Sequence, residues 1–189
     1  MQTALFHPHL TTTEIEAGIE HVLRSRQDHG ILHLIVQRPA VNERNVVTKG
    51  LLDPSEGLVG DSWVRRGSWS PRSRKPNPEM QLNIMNWRFA LLVAGERERV
   101  PLAGDQLFVD LELGPGNLPP GSRLSVGFAV IEVTAPPHLG CGKFVKRFGR
   151  DAMKFANSEF GRSHNLRGIN AKVVTGGGIA AGDTFVKLA

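Results

Sequence analysis

Cys141 is the residue best suited to covalent or metal chemistry, and it is the only cysteine among 189 residues. It lies between Gly140 and Gly142, and His138 precedes it by three positions. A thiolate is a nucleophile and a ligand for soft metals, and a histidine near a thiol accepts its proton in many cysteine enzymes. We therefore predict that Cys141 is a catalytic or metal-binding residue and that His138 is its base.

A second interpretation of both residues stays open at this point. A single free cysteine is commonly a small buried apolar residue without chemistry. The histidine could equally cap the turn at Pro136-Pro137, because closeness in sequence does not fix the distance between two side chains. The structure must show whether the thiol is accessible.

Basic residues accompany the cysteine along the chain. Between residues 135 and 182 there are eight lysine or arginine residues and two acidic residues. Positive charge increases the thiolate fraction of a nearby cysteine, and cations also bind phosphate groups. From charge alone we predict that Lys143, Arg147 and the pair Arg65 and Arg66 contact a phosphate-bearing cofactor.

The elements that must position Cys141 are a strand before it and short helices after it. Leu124, Val126 and Phe128 alternate with smaller or polar residues, which predicts one strand over 124–133. Prolines after residue 135 must end that strand. We predict further strands at 31–37, 80–85, 107–113, 169–173 and 184–188, turns at 51–60 and 176–178, and helices at 14–27, 86–95, 144–149 and 152–156.

About seven short strands with a few helices predict a mainly β protein, a closed or nearly closed β-barrel with peripheral helices. We divide the chain into an N-terminal extension, residues 1–29, and a barrel domain, residues 30–189. The extension contains an amphipathic helix that should begin at a capping box over residues 13–16. This helix is expected to pack outside the barrel.

Composition restricts the class of protein. The chain is 40% hydrophobic and 22% charged, as expected for one globular domain. Its apolar runs are too short to cross a bilayer, so no membrane partner is expected. One cysteine forms no internal disulfide, and the N-terminus lacks a signal-peptide pattern, so we expect a cytoplasmic protein. The net charge of +5 favours anionic partners.

The segment 63–78 is basic and interrupted by prolines, which predicts a long irregular loop. Arg65, Arg66, Arg72 and Arg74 lie in or next to the stretch from Trp63 to Trp69. Cations with interleaved aromatic residues are typical of single-stranded nucleic-acid sites. A basic β-barrel that binds nucleic acid without catalysis is therefore the alternative function, although we regard nucleic acid as the less favoured partner.

Five short motifs, taken in order, resemble the MOSC domain, which is named for the C-terminal domain of molybdenum cofactor sulfurase. They are Gly57-Leu58-Val59-Gly60-Asp61, Pro120-Gly121-Ser122-Arg123-Leu124, Val133-Thr134-Ala135-Pro136-Pro137 before Cys141, Arg167-Gly168 through Val173, and Gly182-Asp183. The match covers roughly residues 30–188. Where many members have Gly-Glu-Asn-Leu, this chain has Gly104-Asp105-Gln106-Leu107.

The resemblance implies a mostly antiparallel MOSC-type barrel that binds the molybdenum cofactor, a molybdopterin. It implies that Cys141 ligates molybdenum or carries sulfur, and that Arg167 and Asp61 belong to the cofactor pocket. The implied activities are sulfur transfer, including cofactor sulfuration, and the reduction of N-hydroxylated compounds. The implied partners are the pterin cofactor or a small substrate, and a cysteine desulfurase or redox protein. Pyridoxal phosphate belongs to a separate domain of full-length sulfurases.

Overall fold

The structure is a computed structural model that describes residues 9–66 and 75–188, apart from the side chain of Arg66. The strands are β1 His29–Gln37, β2 Asn45–Val47, β3 Lys49–Asp53, β4 Gly57–Leu58, β5 Leu82–Asn86, β6 Leu107–Val109, β7 Arg123–Val126, β8 Ala129–Val133, β9 Ile169–Thr175, β10 Gly177–Ala180 and β11 Thr184–Lys187. The helices are α1 Thr12–Leu23, α2 Trp63–Arg66, α3 Trp87–Ala94, α4 Gly142–Asn157 and α5 Glu159–Ser163, with 3-10 turns at Pro78–Met80 and Arg97–Ala103.

Seven strands form a closed barrel in the order β1-β11-β7-β8-β9-β5-β6, and β6 pairs with β1 to close it. Strands β5 and β6 are parallel, whereas the other neighbouring pairs are antiparallel. Strand β2 extends the sheet beside β1, and β10, β3 and β4 form a small second sheet. The prediction of a mainly β, mostly antiparallel barrel with peripheral helices is confirmed.

Two apolar cores hold these elements together. Inward-facing residues of the barrel strands, such as Leu32, Ile84 and Ile131, are fully buried in the first core. The second core lies between the outer surface of the barrel and the helices, and contains Ile15 of α1 and Phe144 of α4. Helix α1 therefore packs on the outer layer, as expected from its amphipathic sequence. Among the described residues, no helix has the length and apolar character needed to cross a membrane.

The strand predicted over 124–133 is in fact a hairpin. Leu124 and Val126 are buried in β7, but the chain turns at Gly127, where φ is +53°, and β8 begins at Ala129. Phe128 sits on this turn with 87% of its surface exposed. Phe128 follows Leu124 and Val126 at the same spacing of two residues. The alternation of apolar residues therefore continued through the turn by coincidence, although Phe128 does not face inward.

Two predicted turns contain strands. Residues 51–60 include the end of β3 and all of β4, and Gly177 begins β10 after the first glycine of the triplet. A Cβ at Gly177 would lie 2.4 Å from the Phe128 carbonyl oxygen. Glycine is therefore required at position 177 because another backbone lies close to it. In the sequence, such a glycine looks the same as one that is required by a turn.

The predicted ends of the helices also need correction. The capping box of α1 consists of Thr11 and Glu14, not of residues 13–16. Helix α1 ends at Leu23 because the hydroxyl of Ser25 donates to the Val22 carbonyl. By contrast, the predicted break at Gly149 is confirmed, since this residue interrupts α4 with φ of +92°. The expected strand over 107–113 is shorter, with pairing in β6 followed by one bridge at Leu111.

Candidate functional site

Cys141 is exposed and immediately precedes the first residue of α4. Its carbonyl oxygen accepts a hydrogen bond from the Val145 amide at 3.1 Å, so the residue is fixed to the first turn of the helix. The interpretation of Cys141 as a buried apolar residue is wrong. An exposed thiol on an ordered backbone is accessible to a second molecule.

Asn157, at the end of α4, holds the loop that carries the thiol. Its Oδ1 accepts the Gly140 amide at 2.8 Å, and its Nδ2 donates to the Gly140 carbonyl at 3.2 Å. A Cβ at Gly140 would lie 3.0 Å from the Cγ of Met153. The bidentate contact uses backbone atoms and fixes the loop, and the close approach of Met153 favours a residue without a Cβ before the cysteine. No sequence motif pointed to Asn157, which is sixteen residues after Cys141.

His138 lies on the inner side of the same loop and packs against Gly168, the residue directly before β9. A Cβ at Gly168 would lie 3.1 Å from His138 Nδ1 and 2.3 Å from the Ile84 carbonyl oxygen, and Gly168 has φ of +113°. Burial, with smaller effects from the charges of Arg167 and Arg38, holds the pKa of His138 well below its ordinary value. The imidazole is therefore neutral at neutral pH, as a proton acceptor must be.

His138 and Arg167 meet at one buried carboxylate, that of Asp105. Arg167 Nη1 lies 2.8 Å from Asp105 Oδ2, and Arg167 Nη2 donates to the Ala103 carbonyl at 3.1 Å. His138 Nδ1 lies 3.3 Å from Asp105 Oδ1 but is not aligned to form a hydrogen bond with it. The Arg167 guanidinium also lies over the Phe144 ring, 4.9 Å from its centroid, which ties the cluster to the start of α4.

Burial raises the pKa of Asp105 above the ordinary range, while the Arg167 guanidinium opposes this effect. The aspartate belongs to the segment in which the sequence departs from the MOSC motif. No sequence pattern identified Asp105 as a site residue. The available signal was an acid two residues before the apolar strand β6, which starts at Leu107, because a carboxylate that close to a buried strand needs a buried partner.

Asp61, the other motif-matched residue, is buried in a bidentate ion pair with Arg38. Arg38 Nε lies 2.7 Å from Asp61 Oδ2, and Arg38 Nη2 lies 3.0 Å from Asp61 Oδ1. The carboxylate also accepts the backbone amides of Arg38 and Trp63. Arg38 Nη1 in turn donates to Asn83 and to the Gly104 carbonyl, next to Asp105. Asp61 therefore fixes the end of β1 and helps to order the surroundings of Asp105.

The residues proposed from charge lie in different environments. Lys143 is exposed at the start of α4 and makes no ion pair with any described residue. Arg147 donates to the Leu102 carbonyl and to Asn42 Oδ1, and thereby joins α4 to a neighbouring turn. Arg65 is exposed and donates to the Pro39 carbonyl at 3.1 Å. Arg66 ends α2, and its side chain lies outside the described part of the structure.

The segment read as a basic nucleic-acid loop is only partly described. Trp63 is 7% exposed, so its interpretation as a base-stacking platform is wrong. Residues 67–74, which include Trp69, Arg72 and Arg74, lie outside the described residues. The described beginning of the segment forms the short helix α2 instead of an irregular loop.

A cavity of about 160 Å³ lies on the side of the loop that faces β8 and β9. His138, Asn165, Asn170 and Thr134 supply the polar part of its lining, and prolines supply much of the rest. The Asn170 amide donates to the Pro136 carbonyl at 2.9 Å and so fixes the Pro-Pro turn. Within the described ranges, no three histidine, cysteine or acidic side chains cluster to hold a metal ion.

Solved structures of similar fold were found by comparison. YuaD from Bacillus subtilis is 16% identical, with a TM-score of 0.58 over 83% of this chain and 94% of its own. YiiM from Escherichia coli is 20% identical, with a TM-score of 0.53 over 84% of this chain and 70% of its own. YiiM from Geobacillus stearothermophilus is 13% identical, with a TM-score of 0.53 over 85% of this chain and 73% of its own.

No protein-family model matches the chain, and no curated protein matches it either. YuaD and YiiM are MOSC-domain proteins, so the fold of this chain is MOSC-like. At these identities the similarity concerns the fold alone.

Proposed function

We propose that this protein, whose fold is MOSC-like, binds the molybdenum cofactor in the cytoplasm and acts through Cys141. The observation that carries the proposal is the exposed thiol on a loop that Asn157 and the packing of Gly140 hold in one conformation. The two candidate activities are sulfur transfer, including cofactor sulfuration, and the reduction of N-hydroxylated compounds. Both require a thiol that a second molecule can reach.

The residues near the thiol fit a molybdenum cofactor. Molybdenum is a soft metal that thiolate ligands suit, and Cys141 offers an exposed thiol. Lys143, two residues further on, is an exposed cation without an ion pair in the described structure and is suited to the phosphate of a pterin. When bound, the cofactor would supply the redox or sulfur-accepting centre.

Arg65 and Arg66 are proposed to approach the same phosphate from α2. Arg147, Arg167 and Asp61 each make several contacts within the chain. We assign them the role of shaping the cofactor pocket. If one of these side chains turned to the cofactor, its present partner would stay unpaired in the interior, and this would cost more free energy than the new contact contributes.

His138 is proposed to hold a bound substrate through a hydrogen bond. Burial keeps its pKa well below the ordinary value, so the ring is neutral at neutral pH but is too weak a base to hold the thiol proton of Cys141. Because the chain has one cysteine, sulfur carried on Cys141 must be delivered to another molecule. In the reductase alternative, electrons come from a redox partner, and the N–O bond is cleaved with release of water.

The test is expression in a host that makes the molybdenum cofactor, followed by elemental analysis and pterin fluorescence of the purified protein. We expect both signals to co-elute with the protein. The loaded protein is then supplied with an N-hydroxylated compound and a reductant, or with cysteine and a desulfurase, to separate the two activities. Co-purified nucleic acid that dissociates steeply with salt, without molybdenum, would contradict the proposal and favour the nucleic-acid alternative.

A further inference from the structure

A second cavity, of about 80 Å³, lies between the loop before Cys141 and the end of α5. Its polar lining consists of His138, Arg162, Asn165 and Arg167, and none of the described acidic residues lines it. The cavity is separate from the larger one beside β8 and β9, although Pro137, His138 and Asn165 contribute to both. Arg162 forms no ion pair with any described residue, whereas Arg167 is paired with Asp105 behind the lining, so Arg162 is the cation available to an anion.

Two buried nitrogen atoms of this lining have no hydrogen-bond partner, namely Arg167 Nε and His138 Nδ1. The side chain of Arg167 is 6% exposed, and its two terminal nitrogens are occupied by Asp105 and the Ala103 carbonyl. Buried polar atoms without a partner are costly and rare in folded proteins. The remaining N–H of Arg167 therefore lacks an acceptor among residues 9–66 and 75–188, and a bound ligand would supply one.

The net charge of the cavity comes from Arg162. Asp105 balances the charge of Arg167, and His138 is neutral because burial lowers its pKa. Arg162 is exposed at the rim and makes no ion pair with any described residue. A guest in the cavity would thus meet the cation of Arg162 and the side chains of Arg167 and His138, which line the cavity.

We propose that this cavity binds a small oxyanion, with Arg162 supplying the charge and Arg167 Nε and His138 the inner hydrogen bonds. A single water occupies roughly 30 Å³ in the liquid, so the cavity of about 80 Å³ accommodates a group such as phosphate or sulfate. The oxyanion is either a free inorganic ion or the terminal phosphate of a larger ligand that extends past the rim. Neither case depends on the molybdenum proposal, because the cofactor-free chain contains all of these residues.

The experiment is a titration of the cofactor-free protein with inorganic phosphate at low ionic strength, followed by the amide NMR signals of Gly161 and Arg162. A titration with sodium chloride at the same ionic strength is the control for electrostatic screening. We expect saturable shifts at both amides with phosphate and not with chloride. Arg162→Gln should weaken binding about two- to fivefold, since it removes an exposed charged contact that solvent partly screens.

Arg150→Gln is the matched control, because Arg150 is also exposed but does not line the cavity. It should change the affinity much less than Arg162→Gln does. Equal losses in both variants, or linear shifts that never saturate, would overturn the proposal and leave only water in the cavity. Repeating the titration with glycerol phosphate separates the sources: tighter binding than inorganic phosphate indicates the tail of a larger ligand, and weaker binding indicates a free ion.

Discussion

Arg167 Nη1 lies 2.8 Å from Asp105 Oδ2, and the two side chains are 6% and 0% exposed. This ion pair joins the segment before β9 to the segment before β6, and His138 packs against the same carboxylate. The pair is therefore an internal cross-link beneath the loop that carries the thiol. Its replacement will affect folding as well as any ligand.

The first prediction concerns this pair. Arg167→Met leaves Asp105 buried without its cation, and we expect the free energy of unfolding to fall by about 3–5 kcal/mol. The double variant Arg167→Met with Asp105→Leu should recover most of that loss, because two apolar side chains need no partner. Urea unfolding of the three proteins measures the difference.

The same double variant tests Arg167 as a residue of the cofactor pocket, since it should be more stable than the single variant. Unchanged molybdenum content in it would restrict Arg167 to a structural role. A double variant as unstable as the single one would show that the ion pair contributes a net stabilisation that apolar packing does not replace.

The second prediction concerns Asp61, whose carboxylate receives two bonds from the Arg38 side chain and two from backbone amides. Asp61→Asn keeps the shape but removes the charge opposite a buried guanidinium, so it should cost about 3 kcal/mol of stability. Asp28→Asn is the matched control, because Asp28 is exposed. Thermal unfolding showing equal effects of the two substitutions would contradict the assignment of Asp61 as a buried structural anchor.

The third prediction is a pH dependence of stability that originates from His138. Its pKa is low in the folded protein because of burial, so below about pH 6.5 the unfolded chain binds a proton that the folded chain does not. Stability should therefore fall as the pH is lowered from about 6.5, with a slope of at most about 1.4 kcal/mol per pH unit from this one group.

The difference between the wild type and His138→Gln isolates this effect. Burial also lowers the pKa of His33, and burial raises that of Asp105, so the wild-type curve alone contains several contributions. We expect denaturant unfolding curves from pH 7 to pH 5 to be flatter for the variant. Parallel curves would show that His138 titrates normally in the folded protein.

The sequence predicted much of the barrel because its strands have strong local patterns. Strands β1, β9 and β11 begin and end within two residues of the predicted bounds, and Asn86 caps α3 as expected. The β7–β8 hairpin was missed because Phe128 at its tip continued the apolar alternation. Local periodicity does not distinguish an exposed apolar residue at a turn from a buried one in a strand.

The partners within the candidate site were harder to predict, because they are far apart in the chain. Arg167 and Asp61 were selected from motifs, but their partners Asp105 and Arg38 are brought to them only by the closed barrel. The clamp between Asn157 and Gly140 depends on the length of α4 and on its break at Gly149. Such contacts follow from tertiary packing, which single-sequence patterns do not encode.

The fourth prediction concerns the accessibility of the thiol. Because Cys141 is exposed, iodoacetamide should modify the native protein at neutral pH at a rate that denaturant does not increase strongly. Mass spectrometry should find one modified site, at Cys141. A thiol that reacts only after unfolding would contradict the exposed position of Cys141.

The central claim is that Cys141 retains the molybdenum cofactor or its sulfur, and the most direct test is the molybdenum content of matched variants from a cofactor-competent host. Cys141→Ser replaces a soft thiolate by a hard hydroxyl of similar size, while Leu139→Ala alters an exposed neighbour and keeps the thiol. We expect wild type and Leu139→Ala to retain molybdenum in comparable amounts, and Cys141→Ser to lose molybdenum or the activity that depends on it while unfolding at the same temperature. A Cys141→Ser protein with full molybdenum content and full activity would contradict the claim.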